Sequence, residues 1–128
     1  MGRFARTIDM LGLDGFERLR SSFAVILGLG GVGSHAAVAL ARCGLGRIRL
    51  VDFDAVTESS LNRHAVACPG DVGRPKADIV AVRLREINPD LIVDVRHSFF
   101  HEETADELLS GPPDYVVDAI DSLTPKVF

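Results

Sequence analysis

Cysteine is scarce in this chain of 128 residues: Cys43 and Cys68 are the two present, and they do not form a metal-spaced pair. Cys43 falls among small residues and reads as packing. Cys68, directly before Pro69, reads as a free loop thiol. Two unpaired thiols suit a reducing cytoplasm, which is the expected location. Long apolar runs are missing as well. Nothing approaches the ~18–20 residues that a spanning helix needs. The N-terminus, MGRFARTIDML, has two arginines but no apolar signal core, so secretion is not expected. Positive charge is not in excess either. Fourteen Lys and Arg against eighteen Asp and Glu leave a net charge of −4. That argues against nonspecific nucleic-acid binding by bulk electrostatics, while a local basic groove stays open. Internal repeats and low-complexity segments are absent. The remainder has the composition of an ordinary globule, sized for one small domain.

The stretch 25–54 reads VILGLGGVGSHAAVALARCGLGRIRLVDFD. An apolar run at 23–27 meets a glycine loop, a small-residue helix follows, and a second apolar run ends in acid. This is the order of a nucleotide-binding βαβ unit. Gly28, Gly30 and Gly33 form GxGxxG, where the main chain must come close to phosphate oxygens. The unpaired N–H groups opening the next helix, with the positive end of its dipole, attract an anion. Asp52, ending the second apolar run, is placed to accept hydrogen bonds from ribose hydroxyls.

Two short helices are expected over 3–22, where Phe4, Ile8, Leu11, Phe16 and Leu19 recur at helical spacing around Gly12 and Gly15. Strands are expected at 23–27, 47–52, 91–95 and 115–120. Helices are expected at 34–43, 75–87 and 102–109, with Ile79, Val82 and Ile87 facing inward. Gly44 should end the first of these helices and Pro75 should open the second. Residues 55–71 read as a loop with one helical turn. Ser122 reads as an N-cap for a further helix. A doubly wound sheet wants more crossovers than this length holds, so the expectation is the N-terminal part of a longer domain. Residues 1–22 would be a helical segment and 23–128 a Rossmann-like three-layer α/β sandwich with a mainly parallel sheet.

The glycine loop and acid serve NAD-dependent oxidoreductases as well as ATP-using enzymes. Further residues bear on the choice. Gly31 doubles Gly30 and is expected to widen the cradle for a triphosphate. Arg63, in LNR at 61–63, offers a planar fork of donors suited to phosphate. Lys76 stands on the first turn of a helix, where the dipole disfavours it unless an anion lies between. Asp121, after the fourth strand, is placed to hold Mg²⁺ directly or through water. Arg63 alone would read as a solvated charge, and Asp121 alone as an ordinary N-terminal helix acid. An NAD-dependent oxidoreductase leaves Arg63 and Lys76 unexplained.

The motifs GLGGVGS at 28–34, LVDFDAV at 50–56, LNR at 61–63, VGRPKA at 72–77, INPD at 87–90 and DAIDS at 118–122 together resemble the ThiF/MoeB/HesA adenylyltransferase superfamily, related to ubiquitin-activating enzyme. Within it, ALARCGLGRIRLVDFD and VVDAIDSLTPK resemble the branch that dehydrates threonylcarbamoyladenosine on tRNA. The resemblance implies ATP-dependent adenylation of a carboxylate, with ATP and Mg²⁺ bound. The partner would be tRNA carrying threonylcarbamoyladenosine, and the enzyme a homodimer. The alternative acceptor within the superfamily is a ubiquitin-like sulfur-carrier protein. By the same resemblance, Gly28, Gly30, Gly31 and Gly33 contact phosphates. Asp52 binds the ribose with Asp54 beside it, Arg63 and Lys76 hold the phosphates as pyrophosphate leaves, and Asp121 handles Mg²⁺. Arg6 matches an arginine that reaches a neighbouring subunit's ATP. Two positions depart from the family pattern. Ser60 stands where Asn is usual, leaving Asn62 to compensate, and His64 stands where Gln is usual. His64 reads as a solvated loop histidine, and His35 as lying near the nucleotide.

Overall fold

The computed structural model describes residues 2–120. Four strands, β1 (Phe23–Leu27), β2 (Arg47–Val51), β3 (Ile92–Arg96) and β4 (Tyr115–Asp118), form one sheet in the order β3-β2-β1-β4, parallel throughout. β1, with the sequence FAVIL, lies in the middle and is buried along its whole length. Continuous burial suits a parallel strand covered on both faces, because crossover helices occupy both sides.

Successive residues of β1 feed opposite faces, as the period-2 pleat requires. Ala24 and Ile26, with Ile48 and Leu50 of β2, pack against α2 (Gly31–Cys43) and α3 (Lys76–Ile87) through Ala37, Ala41, Val80 and Leu84. Phe23, Val25 and Leu27 form a second cluster with Val51 and Leu108, the latter from the short helix α4 (Ala105–Leu108). The result is a Rossmann-like three-layer α/β fold. The chain winds from β1 outward to β3 and then returns to the other side of β1 for β4. The winding direction therefore reverses between β1 and β4, and a crevice opens outside their carboxyl ends.

The first helix, α1 (Ala5–Arg20), is interrupted at Gly12, whose φ of 74° no helical residue adopts. Two helical pieces therefore precede the sheet, as the glycines suggested. Phe16 is fully buried, its ring packed where a side chain on Gly44 would stand. On the second face, Arg49 is buried beside Phe23. Its Nε donates to Asp94 at 2.7 Å and its Nη1 to the carbonyls of Leu108 and Ser110 at 2.9 and 2.8 Å. The guanidinium bolts the turn after α4 onto the sheet.

Several expectations change. Val82 is 51% exposed; Ile79 and Ile87 meet the core as expected, and α3 also turns Ala77, Val80, Ala81 and Leu84 inward. The helix expected over 102–109 shrinks to Ala105–Leu108, because residues 101–104 form a turn in which Thr104 Oγ1 accepts from His101 N–H and donates to the Phe99 carbonyl. The loop 55–71 contains two 3-10 turns, Glu58–Ser60 and Pro69–Asp71. The helix proposed to start at Ser122 lies outside the described residues.

Candidate nucleotide-binding site

The crevice is built on the turn between β1 and α2. Gly28 takes φ = +93°, open to glycine at little cost, and a Cβ there would meet the Ala119 carbonyl oxygen after β4 at 2.9 Å. A Cβ on Gly33 would overlap the Gly28 carbonyl, so this glycine lets α2 lie directly on the turn. Among the described residues, nothing lies within 4 Å of where a Cβ on Gly30, the N-cap of α2, would stand, and no side chain caps this helix. Open space beside uncapped N–H groups is the geometry of an anion cradle.

Gly31 behaves differently from the expectation of a widened cradle. A Cβ on Gly31 would stand 3.3 Å from the Arg63 carbonyl oxygen and 3.4 Å from the Arg63 Cβ and Cγ. What the second glycine admits is the 60–64 turn, which brings Arg63 against the start of α2. Two further hydrogen bonds fasten that turn. Ser34 Oγ accepts from Ala65 N–H at 3.0 Å, and His35 Nε2 lies 3.2 Å from the Arg63 carbonyl oxygen. His35 is thus adjacent to the glycine loop through Arg63.

Asp52, 8% exposed, follows β2 directly. Its Oδ2 accepts from Leu29 N–H and its Oδ1 from Asp54 N–H, both at 2.7 Å. The Asp54 carbonyl accepts from Lys76 N–H at 3.0 Å, and an isolated bridge pairs Ala55 with Pro75. The glycine loop, the segment after β2 and the start of α3 are thereby tied through one carboxylate. Lys76 begins α3 half-buried, with no ion pair among the described residues. A cation at a helix N-terminus without a protein anion is what a bound phosphate would resolve.

The other expected residues separate. The exposed Arg63 turns Nη1 to the Ser59 carbonyl at 2.9 Å and to Asn62 Oδ1 at 3.4 Å. Ser60 is buried, and its hydroxyl donates to the Thr57 carbonyl at 2.7 Å while accepting from Thr57 N–H at 3.1 Å. Its proton is held inside its own turn, which leaves the phosphate contact implied by family resemblance at this position without a free Ser60 donor. Asn62 is exposed beside Arg63. Arg6 lies exposed on α1, and no hydrogen bond joins it to the glycine loop among the described residues. Asp121 lies outside the described residues, and among the described ones no group of three acids, histidines or cysteines is arranged for a metal. No helix described is long and apolar enough to cross a membrane.

Sequence reasoning missed His64. It is not solvated but 8% exposed. Its Nδ1 accepts from Val66 and Ala67 N–H at 3.1 and 3.0 Å, and its Nε2 is buried without a partner among the described residues. Burial, its largest influence, holds its pKa below the usual histidine value. The departure from the usual Gln was the available signal, since an amide also accepts and donates at once.

A switch-point crevice, a helix N-terminus bare of side-chain caps and a lysine without an ion pair among the described residues define a nucleotide-binding α/β protein. Comparison with known proteins narrows the class: the ThiF family model matches residues 4–128, and the chain belongs to that family. It is 42% identical to the tRNA threonylcarbamoyladenosine dehydratase of Bacillus subtilis over 98% of its own length and 49% of that protein. It is 40% identical to the SAMP-activating enzyme E1 of Haloferax volcanii over 95% of its length and 46% of that protein. Among solved structures, the E. coli tRNA N6-threonylcarbamoyladenosine dehydratase in complex with ATP superposes with a TM-score of 0.94 at 39% identity, covering 98% of this chain and 51% of that one. The chain spans about half the length of these relatives.

Proposed function

We propose that this chain carries the ATP-binding half of an adenylating enzyme of the tRNA threonylcarbamoyladenosine dehydratase kind. The observation that carries the reading is the packing of Arg63 on Gly31 beside the uncapped N-terminus of α2. The match to an ATP-bound dehydratase supports it.

The chemistry asks for alignment and charge neutralisation. A carboxylate oxygen forms a bond to the α-phosphorus, the bond from that phosphorus to the β-phosphate oxygen breaks, and pyrophosphate leaves. Main-chain N–H groups at 31–33 stabilise phosphate charge as it develops, and Arg63 and Lys76 balance the leaving pyrophosphate. For Arg63 this requires the guanidinium to swing from the Ser59 carbonyl toward the ligand. Asp52 holds the glycine loop by one lone pair on each oxygen, and the remaining lone pairs accept the ribose hydroxyls, with Asp54 alongside. Magnesium would accompany the triphosphate, with Asp121 as its ligand by family resemblance. On the dehydratase pattern the carboxylate belongs to threonylcarbamoyladenosine on tRNA. A neighbouring atom of the modification then displaces AMP and closes a ring. The enzyme would act in the cytoplasm as a homodimer, with Arg6 reaching the partner's ATP.

The likeness to a SAMP-activating enzyme supports a second reading, in which the acceptor carboxylate is the C-terminus of a small ubiquitin-like protein. Carboxylate-dependent exchange of labelled pyrophosphate into ATP tests the adenylation itself. Exchange stimulated by modified tRNA selects the first acceptor and exchange stimulated by a sulfur carrier the second. Preferential binding of NAD without exchange would point to an oxidoreductase and defeat both.

A further inference from the structure

His64 packs behind Arg63 and beneath the glycine loop, and nothing in the adenylation chemistry uses it. Its Nδ1 lone pair accepts two backbone N–H groups, from Val66 and Ala67. A nitrogen that accepts carries no proton, so the neutral ring is the Nε2–H tautomer. That Nε2 is buried and has no hydrogen-bond partner among the described residues, with the Leu29 backbone nearby. Leu29 is the residue whose N–H is held by Asp52. The ring therefore closes the turn after Arg63, with its buried edge near the backbone of the glycine loop.

Resting on the adenylation reading, we infer that His64 is a positioning residue: its neutral ring closes the turn that carries Arg63 against Gly31, and a proton arriving on Nδ1 opens that turn. Protonated Nδ1 would face two N–H donors where it now accepts them. The turn from Arg63 to Ala67 would lose both bonds, and Arg63 its fixed place on Gly31. The groups that face the ring come from three elements: Lys76 at the start of α3, His35 on α2 and Asp52 after β2. Burial weighs most and keeps the ring neutral. The Leu29 backbone opposes it, Lys76 and His35 reinforce it, and Asp52 opposes it. Because the folded-state value is lowered, the lock is fully present above the ordinary value of 6.5 and is lost as pH falls through the lowered folded-state value.

The test compares the protein with its His64→Gln variant, whose side chain can accept and donate as the imidazole does but does not titrate. Nitrogen-15 NMR of the imidazole should show the proton on Nε2. Amide protection factors at Val66 and Ala67, taken against the intrinsic exchange rate at each pH, should fall on acidification in the parent and not in the variant. Between pH 7 and pH 5, ATP affinity should fall about tenfold further in the parent than in the variant. The titration of ATP itself is common to both and cancels. An Nδ1–H tautomer, or superimposable pH profiles of ATP affinity and amide exchange, would overturn the inference. If ATP binds neither protein at any pH, the adenylation reading fails, and with it the nucleotide role of His64. The tautomer and exchange measurements then still decide whether the ring locks the turn.

Discussion

The Asp52 carboxylate accepts the Leu29 N–H at 2.7 Å, so the acid that ends β2 also fixes the middle of the glycine loop. Its other oxygen holds Asp54, whose carbonyl receives Lys76 N–H. One side chain thus sets the relative positions of the three segments that meet at the crevice. Replacing it with alanine leaves two partly buried N–H groups unpaired, at about 1–3 kcal/mol each before relaxation. Asp52→Ala should therefore lower both the unfolding free energy and the affinity for ATP. A variant as stable as the parent in denaturant titration, with unchanged ATP affinity, would mean that the carboxylate neither fixes the loop nor meets the ribose.

Gly30 and Gly33 lie in the same motif and should respond oppositely to a methyl group. At Gly33 the methyl collides with the Gly28 carbonyl, and at Gly30 it enters open space. Gly33→Ala should cost ~3 kcal/mol or more by forcing α2 off the turn. Gly30→Ala should unfold within ~0.5 kcal/mol of the parent, yet bind ATP more weakly because the methyl occupies the cradle. Thermal melts paired with nucleotide titration read both effects.

Lys76→Ala should keep the fold, since removing a cation from a helix N-terminus relieves an unfavourable dipole contact. Adenylation should fall on the order of 10²–10³-fold, as for loss of one transition-state charge partner. Pyrophosphate exchange measures the second effect and circular dichroism the first. Unfolding of the variant would make Lys76 a structural residue.

Arg49 and Asp94 tie the opposite face. Arg49→Met should cost about 3 kcal/mol, because it leaves the Leu108 and Ser110 carbonyls unpaired and removes a buried charge partner. Burial pushes the Asp94 carboxyl up, but hydrogen bonds from Arg96 and Arg49 outweigh it and hold its pKa below 3.8. The stability that this ionised group contributes is present above its unfolded-state value and is lost as pH drops through the lowered folded-state value. Asp94→Asn should flatten that part of the acid-unfolding curve. An unchanged acid limb would show that the pair does not govern it.

Much of this architecture was readable because periodicity reports burial within regular elements. FAVIL can only be a strand covered on both faces, and Gly28 with Gly33 announces a tight turn under a helix. The same signal gave less at α3, where Val82 falls on the solvent side and the small Ala77 and Ala81 face the sheet. Loops carry no period. The sequence therefore hid that Ser60 closes its own turn and that His64 is buried, since both depend on where 55–67 folds back over α2. The buried Asn88 is the C-cap of α3. It also donates to the Ala41 carbonyl, a contact set only by how α3 meets α2. Asp121, assigned from the motif, lies beyond the described residues.

The most direct test of the central claim is calorimetric titration of ATP and of AMP into the parent and into an Arg63→Ala/Lys76→Ala double variant. If both cations meet the β- and γ-phosphates, ATP should bind the parent at least tenfold more tightly than AMP, and the two affinities should converge in the variant. Equal affinities for ATP and AMP in the parent, or an undiminished preference for ATP in the variant, would contradict it.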